Sequence, residues 1–162
     1  MNLIPKPTIV VDFDGVLHSY VSGWQGPRII TDPPVPGAME FLVTALEHFT
    51  VAIQSSRSHA FGGRRAMKQW LKQELVKCAG SGPESTPHWF CERIMQTAFC
   101  DPWDYEVEYA SKRIIEEIRW PLFKPPAIFY IDDRAMRFEG RWPSAEEIAA
   151  FRPWKVARGA RL

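Results

Sequence analysis

The sequence predicts an α/β fold in which a central parallel sheet carries helices on both faces. Three short apolar segments, 8–11, 51–53 and 127–131, are typical of buried strands. Segments with helical periodicity separate them, and this alternation is the pattern of a parallel sheet with crossover helices. Polar residues follow each predicted strand directly, which indicates a site at one edge of the sheet.

The first half of the chain contains two strands and two helices. Segment 8–11 is β-branched and apolar, and 15–36 is rich in turn formers, which predicts a long loop or flap. Segment 37–49 has apolar residues at helical spacing, and 51–53 is a second strand. A second helix is expected over 63–78, with one apolar face.

The second half is less regular. A Gly/Pro/Ser-rich connection covers 79–87, and 90–99 fits either a strand or a short helix. A helix is expected over 105–118, ended by Pro121, and a buried strand over 127–131. Ser144 and Glu147 match a capping box that opens a last short helix.

Size and composition favour a single globular domain covering 1–162. Hydrophobic residues make up 46% and charged residues 24% of the chain, and the net charge is +1, so no overall basic field points to nucleic acid. The three cysteines, Cys78, Cys91 and Cys100, lack paired spacing and favour a reducing compartment. With no signal peptide or membrane-length apolar run, we expect a cytoplasmic protein without a membrane partner.

Asp12 and Asp14 are the most informative residues. They follow the first strand two positions apart, so their side chains point to the same side, and their repulsion is costly unless a cation or a dipole offsets it. A calcium loop starting at Asp12 would need oxygen ligands at positions that hold Val16 and Gly23, which excludes an EF-hand. The pair is therefore a candidate for metal binding, nucleophilic attack and proton transfer.

Four short segments together resemble the haloacid dehalogenase (HAD) superfamily, whose members are mostly Mg²⁺-dependent phosphatases. The run ending in Asp12-Phe13-Asp14-Gly15-Val16 is similar to motif I, and Val51-Ala52-Ile53-Gln54-Ser55 is similar to motif II. Tyr130-Ile131-Asp132-Asp133 resembles motif IV. Two lysines are candidates for motif III: Lys124 lies eight residues before Asp132, and Lys112 lies twenty residues before it. The spacing of Lys124 resembles that of the deoxynucleotidase branch of the family, so Lys124 is preferred, but both lysines remain candidates.

The resemblance implies a three-layer Rossmann-like fold and a two-step reaction. Asp12 would attack phosphorus and form an aspartyl-phosphate, while Asp14 would protonate the leaving oxygen and then activate water. Ser55, Ser56, Arg57 and Lys124 would bind the phosphoryl group. Mg²⁺ would be held by the Asp12 carboxylate, the Asp14 carbonyl and motif IV, where Asp133 is preferred to Asp132 as the direct ligand.

Each of these residues also has a structural interpretation. Ser55 or Ser56 fits the cap of the following segment, Arg57 fits a surface salt bridge, and the aspartates fit turn positions. His18 and His59 are expected to be structural or partly exposed. Trp24, in the loop after motif I, is expected either in a flap over the site or in a turn packed on the domain.

The gaps between the motifs leave no room for a large cap domain, which predicts an open site. An open site suits a nucleotide or a nucleic-acid end phosphate, or a small phosphorylated molecule if a second subunit covers it. Basic residues that would contact phosphates near its mouth are Arg57, Arg64, Arg65, Arg134, Arg137 and Arg141. The alternatives to a phosphomonoesterase are a non-catalytic phosphate- or partner-binding module and a phosphotransferase or polynucleotide end-processing component. An oligomer is compatible with the sequence but not indicated by it.

Overall fold

The computed structural model describes residues 5–97, 102–137 and 139–152. The elements follow the predicted alternation of strands and helices: β1 (Thr8–Val11), α1 (Ala38–His48), β2 (Thr50–Ile53), α2 (Gly63–Cys78), α3 (His88–Met95), α4 (Trp103–Glu117), β3 (Phe129–Ile131) and α5 (Ala145–Ala150). Two short 3₁₀ helices cover Ser56–His59 and Pro83–Ser85. The ambiguous segment 90–99 thus contributes to a helix, and its residues from 98 onward, with Cys100, lie outside the described part.

The sheet is parallel, with β1 between β2 and β3. Ile9 lies opposite both Val51 and Phe129, and the hydrogen bonding continues one residue beyond β1, where Asp12 donates its N–H to the Ile131 carbonyl at 2.9 Å. A bridge between Ala52 and Arg119 adds a further short segment on the outer side of β2. Because the ladder holds the ends of β1 and β3 side by side, Asp12 is fixed next to Asp132 and Asp133.

One face of the sheet carries the main core. Ile9, Val11, Val51 and Ile53 alternate along β1 and β2 and share one buried cluster with residues of α1 to α4. Going from β1 to β2 and then to Arg119, the chain moves each time to the next position on the same side of the sheet. Because both crossovers are right-handed, the helices that connect these segments lie on the same face. This explains why α1 to α4 share a single core.

A loop covers the opposite face of the sheet, where the sequence predicted helices. Val10, Ala52 and Tyr130 alternate with the core-facing residues, and the connection from Arg119 back to β3 runs through an irregular loop, not a helix. Tyr130 Oη donates a 2.6 Å hydrogen bond to the Pro125 carbonyl, so this loop contacts that face. Among the described residues, the layers are therefore a helical layer and a sheet with a loop cover, and the predicted second helical layer is not seen.

The strand predicted over 127–131 is shorter and more exposed than expected. β3 covers Phe129–Ile131 at the edge of the sheet, and Phe129 is 60% exposed. Its apolar composition resembles that of a buried strand, but among the described residues no strand pairs with its outer side. The α5 helix begins, as predicted, with Ser144 Oγ accepting from the Glu147 N–H, and it is exposed along its length.

None of the helices in these described ranges is long and apolar enough to span a bilayer.

Candidate active site

A cavity of about 300 Å³ opens at the carboxyl ends of β1, β2 and β3. The parallel strands bring their following residues to this one edge, as the sequence predicts. Six predicted site residues line the cavity together: Asp12, Asp14, Ser55, Ser56, Lys124 and Asp132. Asp133 lies directly behind, and Arg57 lies deeper in the domain.

Three carboxylates converge in the cavity and form a candidate metal centre. Oxygen atoms of Asp12, Asp132 and Asp133 all lie within 4.8 Å of one another. This separation is close to the span of roughly 4 Å across an octahedral Mg²⁺ shell with bonds of about 2.1 Å. Carboxylate oxygens suit Mg²⁺, and they also suit Ca²⁺ and Mn²⁺. The residues present therefore fit a magnesium ion.

Asp12 lies in a buried and negatively charged environment. Burial, followed by the negative charges of Asp132, Asp133 and Asp14, raises the pKa of Asp12 to about 7, although the hydrogen bond from the Phe13 N–H opposes this shift. A divalent cation among these carboxylates would offset the repulsion and return Asp12 to its ionised form.

Asp133 is positioned by Gly15. The Asp133 side chain is buried, and a Cβ atom at Gly15 would lie 2.5 Å from Asp133 Oδ2. Gly15 also has a φ of +88°, a conformation that favours glycine. Asp132, in contrast, is exposed and accepts a 2.7 Å hydrogen bond from the Arg134 N–H. Gly15, in the segment similar to motif I, thus leaves space for Asp133, the second acid of the segment similar to motif IV.

Asp14 is held by two neighbours. Its Oδ1 lies 2.9 Å from His18 Nδ1, and its Oδ2 accepts a 2.7 Å hydrogen bond from Arg57 Nε. Burial would raise the pKa of Asp14, but these hydrogen bonds and the charge of Arg57 outweigh burial and hold the pKa below its usual value. Since the Asp32 N–H donates to His18 Nε2, His18 Nδ1 carries the proton that faces Asp14.

Arg57 differs from both sequence interpretations. Its side chain is completely buried and does not lie on the surface, so the surface salt bridge is wrong. Besides Asp14, it donates to the carbonyls of Gly26 and Ile29 at 2.8 and 3.1 Å, and its guanidinium lies 4.7 Å from the Trp24 ring centre. Arg57 therefore connects the loop 15–36 to Asp14. It does not line the cavity where a phosphate would sit.

The two serines have separate positions. Ser55 is buried, and its Oγ accepts from the Arg57 N–H at 3.2 Å, so it caps the 3₁₀ helix Ser56–His59 as the structural interpretation predicted. Ser56 is exposed at the cavity wall. Together they place a 3₁₀-helix start and two hydroxyl groups beside the carboxylates.

The structure distinguishes the two lysine candidates. Lys124 lines the cavity, and its Nζ lies 4.1 Å from the Tyr130 ring centre. Lys112 is exposed on α4, where its Nζ lies 3.9 Å from Glu116, and it does not line this cavity.

No family model, curated protein or solved structure matches the chain. The geometry of the cavity and its side chains therefore carries the functional argument.

Tyr20 is a cavity residue that sequence reasoning missed. It is the one described residue other than glycine with a positive φ, 55°, and its ring lies edge-on to His18 at 6.0 Å. Positive φ at a non-glycine residue is costly and is often found at functional sites. Its position after Asp14 in the loop 15–36 was the only signal in the sequence.

Of the other arginines predicted to contact phosphates, some line the cavity and some do not. Arg134 lines the cavity, whereas Arg137 and Arg141 are exposed and pair with Glu139 and Glu147. His18 is buried, as expected for a structural histidine, and His59 is exposed with its ring 5.6 Å from Phe123.

Proposed function

We propose that this protein is a Mg²⁺-dependent phosphomonoesterase of the HAD type that acts through an aspartyl-phosphate on Asp12. The observation that carries the proposal is the convergence of Asp12 with Asp132 and Asp133 in a cavity that also presents Ser56 and Lys124. A nucleophilic carboxylate, a cation site and phosphate-binding groups are the three parts that this reaction needs.

Asp12, Asp132 and Asp133 would hold the magnesium ion. When bound, the ion would neutralise charge on the transferring phosphoryl group and lower the pKa of Asp12. The ionised Asp12 attacks phosphorus in line, a bond forms between its Oδ and phosphorus, and the ester P–O bond breaks. An aryl leaving group departs as the aryloxide, whereas the oxygen of a nucleotide leaving group takes a proton from water in the cavity. Lys124 and the Ser56 hydroxyl and backbone stabilise the negative charge on the non-bridging oxygens.

The role of Asp14 is narrower than the resemblance implies. A carboxylate whose pKa is lowered by His18 and Arg57 is a weak proton donor, so aryl phosphates, whose leaving groups need little protonation, are the substrates of choice for a first assay. Each Asp14 oxygen accepts one hydrogen bond and keeps a second lone pair for water. In the second step Asp14 orients the attacking water and accepts its proton late, as the new P–O bond forms and the bond between phosphorus and Asp12 breaks.

A non-catalytic phosphate-binding module is the second candidate function. The observation that favours it is the same double hydrogen bonding of Asp14, which keeps both carboxylate oxygens engaged inside the protein. Such a module would bind phosphate and magnesium without turnover.

One experiment separates the two candidates. Release of phosphate from an aryl phosphate is measured with Mg²⁺ and with EDTA, for the native chain and for Asp12→Asn. The phosphatase predicts Mg²⁺-dependent turnover that Asp12→Asn lowers by about a thousandfold or more. Thermal stabilisation by Mg²⁺ and phosphate with no turnover would instead establish the binding module, and equal rates in both proteins would reject the role of Asp12.

A further inference from the structure

A surface that combines cations and exposed aromatic rings adjoins the mouth of the candidate active site. We call it the basic-aromatic face, and its residues are Arg28, Phe61, Arg64, Arg65, Lys68 and Phe123. All six are exposed, and the Phe61 and Phe123 side chains are 93% and 74% exposed. Large apolar rings at such exposure, among cations, are typical of binding surfaces.

The face is assembled by α2 and the segment before it. Arg64, Arg65 and Lys68 lie exposed in the first turns of α2, and Arg64 and Lys68, one turn apart, share one side of the helix. Phe61, Arg65 and Arg28 line one groove of about 480 Å³, where Arg28 packs so closely on Gly62 that a Cβ there would lie 2.8 Å from Arg28 Cδ. This contact joins the loop 15–36 to the face.

The loop that follows α4 contacts both the face and the active-site cavity. Arg64 Nη1 donates to the Trp120 carbonyl at 3.3 Å, and Lys68 Nζ lies 5.5 Å from the Trp120 ring centre. From Trp120 the loop runs through Phe123, whose ring contacts His59, to Lys124 in the cavity wall. This loop therefore links the first turns of α2 to the wall of the cavity.

The charge of the face is unusual for this protein. The whole chain has a net charge of +1, yet no Asp or Glu occurs between Glu47 and Glu74 or between Glu117 and Asp132. These two segments supply every residue of the face except Arg28. Glu116 of α4 lines a groove together with Arg65 and Lys68, but the four cations of the face outnumber this acid, and the net positive charge complements a polyanion.

We infer that the basic-aromatic face binds single-stranded nucleic acid and presents its terminal phosphate to the cavity. The cations fit successive backbone phosphates, and the exposed phenyl rings fit unpaired bases, whose faces a duplex would hide. An acidic peptide would use the cations but gain little from Phe61 and Phe123. This inference rests on the proposed function, and it names the substrate class as an oligonucleotide end in preference to a free nucleotide.

The test compares four substrates: an aryl phosphate, a mononucleotide, and two single-stranded oligonucleotides, one with a terminal phosphate at its 3′ end and the other at its 5′ end. We expect kcat/KM for one of the two oligonucleotides to exceed that for the corresponding mononucleotide at least tenfold. The triple variant Arg28→Gln/Phe61→Ala/Lys68→Gln should remove this advantage while the rate with aryl phosphate stays unchanged. The double variant Lys77→Gln/Arg113→Gln, which removes two exposed cations elsewhere on α2 and α4, should keep the advantage.

Binding is measured separately, so that the inference does not depend on turnover. Fluorescence anisotropy of a labelled oligonucleotide with Asp12→Asn should show affinity that falls about 50-fold between roughly 50 mM and roughly 200 mM salt, as expected for about four phosphate contacts. Equal kcat/KM for oligonucleotides and mononucleotides, an unchanged advantage in the triple variant, or tighter binding of duplex DNA or polyglutamate would each overturn the inference. Failure of aryl phosphate turnover with salt-sensitive oligonucleotide binding intact would instead reject the proposed function alone.

Discussion

Arg57 Nε donates a 2.7 Å hydrogen bond to Asp14 Oδ2, and the arginine side chain is completely buried. The two residues belong to different strand ends, and their ion pair joins the loop after β1 to the loop after β2. A buried pair of this kind is expensive to break, because removing one partner leaves the other as an unpaired charge.

Replacement of Arg57 should therefore destabilise the fold. We expect Arg57→Met to lower the free energy of unfolding by about 3–5 kcal/mol, since Asp14 would lose its charged partner and two loop carbonyls would lose their donor. Denaturant unfolding at neutral pH measures the change. Arg113→Met, which removes an exposed arginine of α4, is the control and should change stability by less than about 1 kcal/mol. Equal effects of the two substitutions would contradict the assignment of a structural role to Arg57.

The raised pKa of Asp12 predicts a stability that depends on pH in the presence of EDTA. Because the folded chain holds this proton up to about pH 7 and the unfolded chain releases it near 4, stability should fall as pH rises through this window and then level off. Asp12→Asn removes the buried charge and should be more stable than the native chain at pH 8, by roughly 2–4 kcal/mol. Thermal unfolding of both proteins at pH 5 and pH 8 tests this. A difference that is the same at both pH values would show that Asp12 titrates normally.

Gly15→Ala should disturb the metal centre. An alanine Cβ would collide with the Asp133 carboxylate, in addition to the cost of about 1 kcal/mol or more for an alanine at positive φ. We expect loss of the thermal stabilisation that Mg²⁺ gives the native chain. Gly140→Ala is a matched control, since Gly140 has a φ of +87° with nothing within 4 Å of the added Cβ. Retention of the Mg²⁺ response in Gly15→Ala would count against Asp133 as a ligand.

Lys124 and Lys112 provide a paired test of the phosphate-binding lysine. Lys124→Met should lower kcat/KM for an aryl phosphate about a hundredfold, because the phosphoryl oxygens lose a positive charge in the cavity. Lys112→Met, on the exposed face of α4, should leave the rate unchanged. The opposite result would move the role to Lys112 and would require a large displacement of α4.

Asp14→Asn should separate the two steps of the proposed reaction. If Asp14 activates the water and the first step proceeds without its proton, the variant should accumulate phosphorylated Asp12 with an aryl phosphate as substrate. Mass spectrometry after rapid acid quenching detects the adduct. A slow reaction without an adduct would instead place Asp14 in the first step, as the resemblance implies.

The local sequence was sufficient for most elements of the fold. The β-branched segments at 8–11 and 51–53, the helical spacing in 63–78 and the capping box at Ser144 all depend on neighbours within a few residues, and each prediction is confirmed. The strand at 129–131 was predicted as buried because its composition is apolar. Its exposure depends on which segments pack beside it, and composition does not encode that.

The sequence predicted that the strand ends converge, but it did not predict the contacts among their side chains. Parallel strands must deliver their end residues to one edge, so Asp12, Ser55 and Asp132 were brought together by topology alone. The contacts of Arg57 with Asp14, Gly26 and Ile29 join residues far apart in the chain, and no local pattern predicts them. Tyr20 was missed for the same reason, since its backbone conformation is imposed by the packed loop.

The sequence by itself determined the α/β alternation and the polar residues at the strand ends, because both follow from side-chain periodicity and short-range propensity. The tertiary structure decided which face of the sheet carries helices, because crossover direction is a property of strand order. It also decided that the pKa of Asp14 is lowered while the pKa of Asp12 is raised to about 7. The pKa of a carboxyl group depends on its burial and on charged partners, and only the folded chain brings these partners near.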